Sequence, residues 1–242
     1  IYLARNNFDI IGIARNDKDL QETANKVIDE GAIFYKEIFD ISQVDLLREF
    51  SNQITDKYPN ISVLINNAGI EKYCHFYDYS KDEIKDILFT NLFAPIELSR
   101  LLVSELGYLD VITIASLAGK KGVAYNSIYS ASKAGLIMWS DGMRQEFKDS
   151  PVDISVICPG FISEAGMFHD GQLAPPALLG SSQPQKVADA VLKALRKGSC
   201  EIIVNSGPIR PLLALGQISW KLADKIVRWF GVPALSRKRI SA

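Results

Sequence analysis

Tyr129 and Lys133 stand four residues apart in Tyr129-Ser130-Ala131-Ser132-Lys133, and Ser116 lies thirteen residues before the tyrosine. Residues at i and i+4 share one face of a helix, so a helix here aims phenol and ammonium into one pocket. A neighbouring ammonium favours the phenolate and lowers a tyrosine pKa from its free value of about 10. A phenol tuned in this way gives or takes a proton at a carbonyl or alcohol near neutral pH, which is general acid/base chemistry. Ser116 follows the apolar run Val111-Ile112-Thr113-Ile114-Ala115. Its hydroxyl is therefore expected at the carboxyl end of a strand, facing that helix. Tyr77 and Lys81 repeat the spacing but lack an upstream strand serine and precede a helix instead of lying within one. They are read as surface residues.

The elements that must position these groups are legible as alternating patterns. Asp9 to Ala14 reads as a strand, Asp17 to Glu30 as a helix ended by Gly31, and Ala32 to Phe39 as a strand. Val44 to Lys57 is helical, Ile61 to Ile65 a strand, and Lys81 to Leu106 a long helix opened by Ser80 and closed by Gly107. Leu109 to Ala115 and Ile154 to Ile157 are strands flanking a helix from Ser127 to Phe147. Gln185 to Lys197 is a helix, and Glu201 to Val204 a last strand. Short apolar runs separated by helical repeats predict one α/β domain, a doubly wound parallel sheet covered on both faces in three layers. A chain of 242 residues suffices for such a core.

Composition removes other classes. A formal charge of −1 gives no global reason to expect nucleic-acid binding. Cys74, Cys158 and Cys200 are odd in number and lack metal-ligand spacing, which reads as idle thiols in a reducing, cytoplasmic setting. His75 and His169 are the only histidines, which argues against a histidine-rich metal site and a serine–histidine hydrolase. No apolar run is read as approaching the roughly 20 residues of a membrane span.

Asn66-Asn67-Ala68-Gly69 follows the strand Val63-Leu64-Ile65. Such a small, glycine-ended turn lets backbone approach a ligand at a strand's carboxyl end. With Asn91 in Thr90-Asn91-Leu92, Ser116, the Tyr129/Lys133 pair and Cys158-Pro159-Gly160, it resembles the short-chain dehydrogenase/reductase family, over residues 1 to about 205. The resemblance implies a Rossmann-like fold and a hydride transfer to or from a carbonyl or secondary alcohol. In it Tyr129 is the proton donor, Ser116 holds the substrate oxygen, Lys133 binds the nicotinamide ribose, and Asn91 holds a relaying water. It also implies a homodimer or homotetramer built on the helices at 81–106 and 127–147.

The cofactor contacts follow from the same resemblance. Ala14 occupies the place where NAD-using relatives carry an acid, and Arg15 can pair with a 2′-phosphate as a charged fork; NADP is the expected cofactor. Asp40 and Ile41 fall where the family contacts adenine, Asn67, Ala68 and Gly69 beside the adenosine ribose, and Pro159, Gly160 and Ile162 near the carboxamide. The threonine usual after this segment is absent, with Ser163 or Glu164 in its neighbourhood. The family's first strand and glycine-rich phosphate loop are absent too. The sequence begins as if within the following helix, so a longer parent chain, by roughly 20 residues, is expected, along with two unpaired sheet edges.

Residues 206–242 lie outside the resemblance. Leu212, Leu213, Leu215, Ile218, Leu222, Ile226, Trp229 and Phe230 recur at mostly helical intervals, with Lys221, Lys225 and Arg228 on other faces. This C-terminal amphipathic extension is expected to pack on the protein's own core or a second subunit, to line an entrance for a lipid-like substrate, or to lie on a membrane surface. The segment Phe161 to Gln183 is expected to cover the substrate, with His169 exposed. A non-catalytic dinucleotide-binding regulator or scaffold is the alternative function. Its signature would be lost catalytic positions, yet Asn91, Ser116, Tyr129 and Lys133 are all present.

Overall fold

Fully buried aliphatic runs build the centre of the sheet. In β4 (Leu109–Ile114) and β5 (Val152–Pro159), Val111, Ile112, Ile154, Val156 and Ile157 are each at most 4% exposed. Strands covered by helices on both faces read as continuous apolar runs for this reason, each such side chain contributing about 1.5–3 kcal/mol. The computed structural model describes residues 1–164, 167, 179–207 and 209–240. The remaining order is β1 (Ile10–Ala14), α1 (Asp17–Ile28), β2 (Phe34–Ile38), α2 (Leu47–Lys57), β3 (Val63–Asn66), α3 (Lys81–Leu88), α4 (Ala94–Leu106) and α5 (Ser127–Glu146). Then come α6 (Pro184–Lys197), β6 (Glu201–Val204), α7 (Ile209–Ile218), α8 (Trp220–Trp229) and α9 (Val232–Lys238).

Among the described residues all strand pairings are parallel. They form two pieces, β1–β2 and β3–β4–β5–β6. Among the described residues β1 pairs only with β2 and β3 only with β4, so each carries one unpaired ladder edge, as the sequence predicts. One core still spans both pieces. Ile13 of β1 packs with Leu47, Phe50 and Ile54 of α2 and with Ala94, Leu98 and Leu101 of α4. The architecture is the Rossmann-like parallel sheet with flanking helices expected from the sequence.

Helix starts follow local chemistry. Asn16 caps α1 by accepting from the Lys18 amide at 2.9 Å, and Ser80 with Glu83 forms a reciprocal capping box on α3. Between α3 and α4, residues Phe89–Phe93 form a π turn. Pro95 supplies the cause: it has no N–H for the Asn91 carbonyl four residues back, and its ring would crowd that carbonyl in a regular helix. By length and composition, Lys81–Leu106 is apolar enough to cross a membrane, contrary to the sequence reading. Its most apolar stretch is 44% buried, and Ala94, Leu98, Leu101 and Leu102 are core residues, so it serves here as a core helix.

The tail helices lie against the body at two charged contacts. Lys121 Nζ meets Asp224 of α8 at 2.6 Å and sits 5.9 Å from the Trp220 ring centroid, and Arg239 meets Glu71 at 2.7 Å. Ile218, Trp220 and Trp229 face outward, 74–83% exposed. His169 and most of the segment expected to cover the substrate lie outside the described residues.

Candidate active site

The site forms where β4 ends and α5 begins. Ser116 follows the strand in extended backbone, and its Oγ accepts from the Ala118 amide at 3.1 Å, opening a short 3-10 turn over Leu117–Gly119. That turn packs directly on α5. A Cβ on Gly119 would stand 2.6 Å from the Lys133 carbonyl carbon, so only glycine permits the approach. The consequence is a hydrogen bond between the side chains of Ser116 and Tyr129.

Tyr129 and Lys133 project from one face of α5, as the i, i+4 spacing predicts. Lys133 is 3% exposed. Its Nζ donates to the Ile114 carbonyl at 2.9 Å and lies 5.7 Å from the Tyr129 ring centroid. Among the described residues its two further N–H bonds have no acceptor, although burial pulls the ammonium down to about 8. Cys158, buried near it, does not compensate the charge, because burial pushes its thiol up to about 12. Tyr129 departs from the expectation. Burial first, then the nearby Glu71 carboxylate, hold its phenol above the ordinary tyrosine value, outweighing the Ser116 hydrogen bond. Desolvation of the phenolate therefore outweighs the pull of Lys133 predicted from spacing alone. Tyr77, by contrast, is 80% exposed, as expected of a surface residue.

Asn91, fully buried in the π turn, fixes the turn after β3. Its Oδ1 accepts from the Ile70 amide at 2.8 Å, while its Nδ2 donates to the Ile70 carbonyl at 2.8 Å and to Ser132 Oγ at 3.2 Å. Gly69 is drawn so close that a Cβ there would lie 3.3 Å from Asn91 Oδ1 and 3.5 Å from Lys133 Nζ. Asn66, the buried last residue of β3, donates to Ser99 Oγ at 3.0 Å, whereas Asn67 and Ala68 are exposed.

The residues assigned to a dinucleotide fall into two groups. Asn67, Tyr129, Lys133, Pro159, Gly160 and Ile162 line one cavity of about 1400 Å³ with Ser116. Ala68 and Gly69 are not part of that lining, and Arg15, Asp40 and Ile41 lie beyond it, just past the carboxyl ends of β1 and β2. Arg15, largely exposed, stands 3.8 Å from Asp40. Burial opposes the Asp40 charge, but hydrogen bonds from the Ser42 amide at 2.9 Å and hydroxyl at 2.7 Å, with Arg15, hold its carboxyl below the ordinary value. Ile41 packs on the core around Leu47 and Phe50.

The far wall of the cavity comes from the tail, through Leu212, Leu213, Ala223, Ile226, Phe230 and Leu235. Sequence reasoning missed a cluster at the same wall: Glu71, Tyr73, Asn126 and Arg239. Glu71 follows the glycine-ended turn and Arg239 belongs to the basic tail, but nothing in either local pattern announces their pairing. The buried lysine with uncommitted donors, the glycine-tight turn and the hydroxyl beside a phenol suit a ligand bearing hydroxyls and phosphates. Beside it, the phenol and serine can hold a carbonyl or alcohol oxygen.

Known proteins resemble this chain in sequence and in fold. The family model described as short chain dehydrogenase matches residues 1–173. The ketoacyl reductase HetN of Nostoc sp. (strain PCC 7120) is 46% identical over 245 residues, covering 98% of this chain and 85% of that protein. The probable oxidoreductase EphD of Mycobacterium tuberculosis is 26% identical over 229 residues, covering 86% of this chain and only 37% of that protein. Among solved structures, an alcohol dehydrogenase of Comamonas testosteroni specific for bulky-bulky ketones superposes with a TM-score of 0.74 at 19% identity, covering 92% of this chain and 86% of that one. An alcohol dehydrogenase of Thermococcus sibiricus complexed with 5-hydroxy-NADP gives 0.73 at 19% identity, covering 85% and 88%. At such identities the two structures bear on the fold alone.

Proposed function

The chain belongs to the short-chain dehydrogenases, oxidoreductases that bind NAD(P), and on that premise we propose that it is an NADP-dependent reductase of a lipophilic, acyl-like ketone. The observation carrying this reading is the joining of Ser116, Tyr129 and Lys133 to one cavity of about 1400 Å³ that the tail lines with aliphatic and aromatic side chains.

A nicotinamide held by Lys133 and the segment Pro159, Gly160 and Ile162 would supply the hydride for the carbonyl carbon. Ser116 donates a hydrogen bond to the carbonyl oxygen as charge develops on it. Tyr129 gives its phenolic proton to that oxygen, completing the alcohol. Its proton affinity, raised by burial, keeps it protonated at neutral pH and suits the reducing direction. Lys133 holds the ribose hydroxyls with its two free N–H bonds and passes a proton back toward Tyr129. The relaying water rests on the Asn91 main-chain carbonyl, because the Asn91 amide is committed to Ile70 and Ser132. Asn67, Ala68 and Gly69 follow the adenosine side, Pro159, Gly160 and Ile162 the carboxamide, and Asp40 with Ile41 the adenine.

The test is NADPH oxidation with β-ketoacyl thioesters of increasing chain length and with simple ketones. If the apolar wall binds the chain, kcat/KM rises by about fourfold per added methylene, from ~0.8 kcal/mol each, until the cavity is filled. Absence of turnover with every carbonyl would overturn the reading. Arg15 bears on the cofactor. Arg15→Ala is expected to raise KM for NADPH by about 10- to 100-fold, the loss of one charge-assisted contact worth roughly 1.5–3 kcal/mol, while leaving KM for NADH unchanged. An equal rise for both dinucleotides argues against 2′-phosphate recognition.

The same tail supports contact with an anionic membrane surface, since exposed Ile218, Trp220 and Trp229 accompany Lys221, Lys225 and Arg228. The full chain is expected to co-sediment with phosphatidylglycerol vesicles, and Trp220→Ala/Trp229→Ala to lose most of that binding. Equal sedimentation of the two proteins would reject the contact.

A further inference from the structure

Glu71 is a carboxylate with a side chain only 12% exposed, placed between the catalytic helix and the tail. Its Oε1 meets an Arg239 nitrogen at 2.7 Å, and its Oε2 accepts from Asn126 Nδ2 at 3.1 Å. Asn126 immediately precedes α5, and its carbonyl accepts from both the Ser130 amide and hydroxyl at 3.0 Å, so Glu71 is bonded to the end of the helix that carries Tyr129. Arg239 lies just past α9. Its guanidinium stacks 4.3 Å from the Tyr73 ring centroid and donates to the Met167 carbonyl at 2.7 Å. Glu71, Tyr73, Tyr129 and Arg239 all line the same cavity.

We propose that Arg239 is a positioning residue for Tyr129: docking of the tail brings a cation onto Glu71, and the pair sets the charge the phenol feels. This rests on Tyr129 being the acid/base group. A buried carboxylate without its cation is strongly unfavourable, and a nearby anion opposes phenolate formation. The groups facing Tyr129 are Ser116 from the turn after β4, Lys133 from its own helix, Glu71 and Tyr73 from the segment after β3, and Arg239 from the tail. Glu71 and Arg239 act on the phenol with opposite sign. Lys120 and Lys121, also on the cavity wall, are engaged by Glu201 and Asp224.

Opposite signs make the idea separable from simple latching. With a trifluorinated tyrosine incorporated at position 129, whose more acidic phenol offsets the upward shift, its midpoint can be followed by fluorine NMR between pH 7 and 11, independently of turnover. Glu71→Gln keeps a partner for Asn126 and is expected to lower the midpoint by about half a unit to one unit. Arg239→Met is expected to raise it by a similar amount, and Glu71→Gln/Arg239→Met to return it close to that of the parent. Midpoints that stay fixed, or that move in the same direction in both single variants, overturn the proposal; the second pattern is what mere opening of the tail to water produces. NADPH oxidation by the same proteins reports separately on the proposed reaction. Failure of turnover in the parent counts against the reductase reading and leaves the NMR result to decide this one.

Discussion

Tyr129→Phe is expected to lose about 10²–10⁴-fold in kcat for NADPH-dependent carbonyl reduction, the range for removal of a positioned general acid. The variant keeps the ring, its burial and the packing of α5, and deletes one hydroxyl whose partner is Ser116. Dinucleotide binding, which the reading assigns to Lys133, Arg15 and main-chain groups, should then change by no more than a few fold in a fluorescence titration. The proposed mechanism has Ser116 support the same oxygen from the strand side, so Ser116→Ala/Tyr129→Phe should be little slower than Tyr129→Phe alone, as expected for groups acting as a unit. Turnover of Tyr129→Phe at the parental rate would refute the mechanism, whatever the substrate.

The fold and the corner of this site were legible because their information is local. The i, i+4 spacing of Tyr129 and Lys133, the apolar run into Ser116 and the glycine-ended turn at Gly69 each survive as drawn. The π turn at Asn91 was not read from the sequence, where Lys81 to Leu106 reads as one long helix, although Pro95 four residues later supplies its cause. What else stayed hidden depends on contacts between distant segments. No pattern near Glu71 or Arg239 specifies their pairing, and helical periodicity in the tail shows an apolar face without showing what covers it. The cavity wall formed by Leu212, Ile226 and Phe230 is therefore visible only in three dimensions. The direction of the Tyr129 perturbation failed for the same reason. Spacing reveals the neighbouring charge of Lys133, but burial, the larger effect here, follows from packing of the whole domain.

Lys133→Met should separate function from stability in opposite directions. The ordinary lysine value is 10.5 and burial brings Lys133 to about 8, so the unfolded chain binds more protons than the folded one between those limits. Stability of the unliganded parent must then increase as pH rises from about 8 toward 10.5, because the folded state is relieved of a buried charge that it carries below that window. At neutral pH that charge costs about 3 kcal/mol. Methionine removes it but leaves the Ile114 carbonyl without its donor, a loss of roughly 1–3 kcal/mol. The net expectation is a gain of about 1 kcal/mol at pH 7, or roughly 2–4 °C in Tm for a chain of this size. The advantage should shrink and reverse by pH 10, as the parental lysine becomes neutral and keeps its hydrogen bond. Activity should move the other way. On the proposed mechanism the variant loses the cation assigned to the ribose and to proton return to Tyr129, so reduction is expected to fall by about 10²-fold or more. Reduction by the parent should itself decline as pH rises through about 8. Melting curves of the two proteins at pH 7 and pH 10 decide the stability claim: a Lys133→Met protein several degrees less stable at both would show that the lysine is a structural strut. The expected pattern instead marks a charged group kept in an unfavourable place for its chemistry.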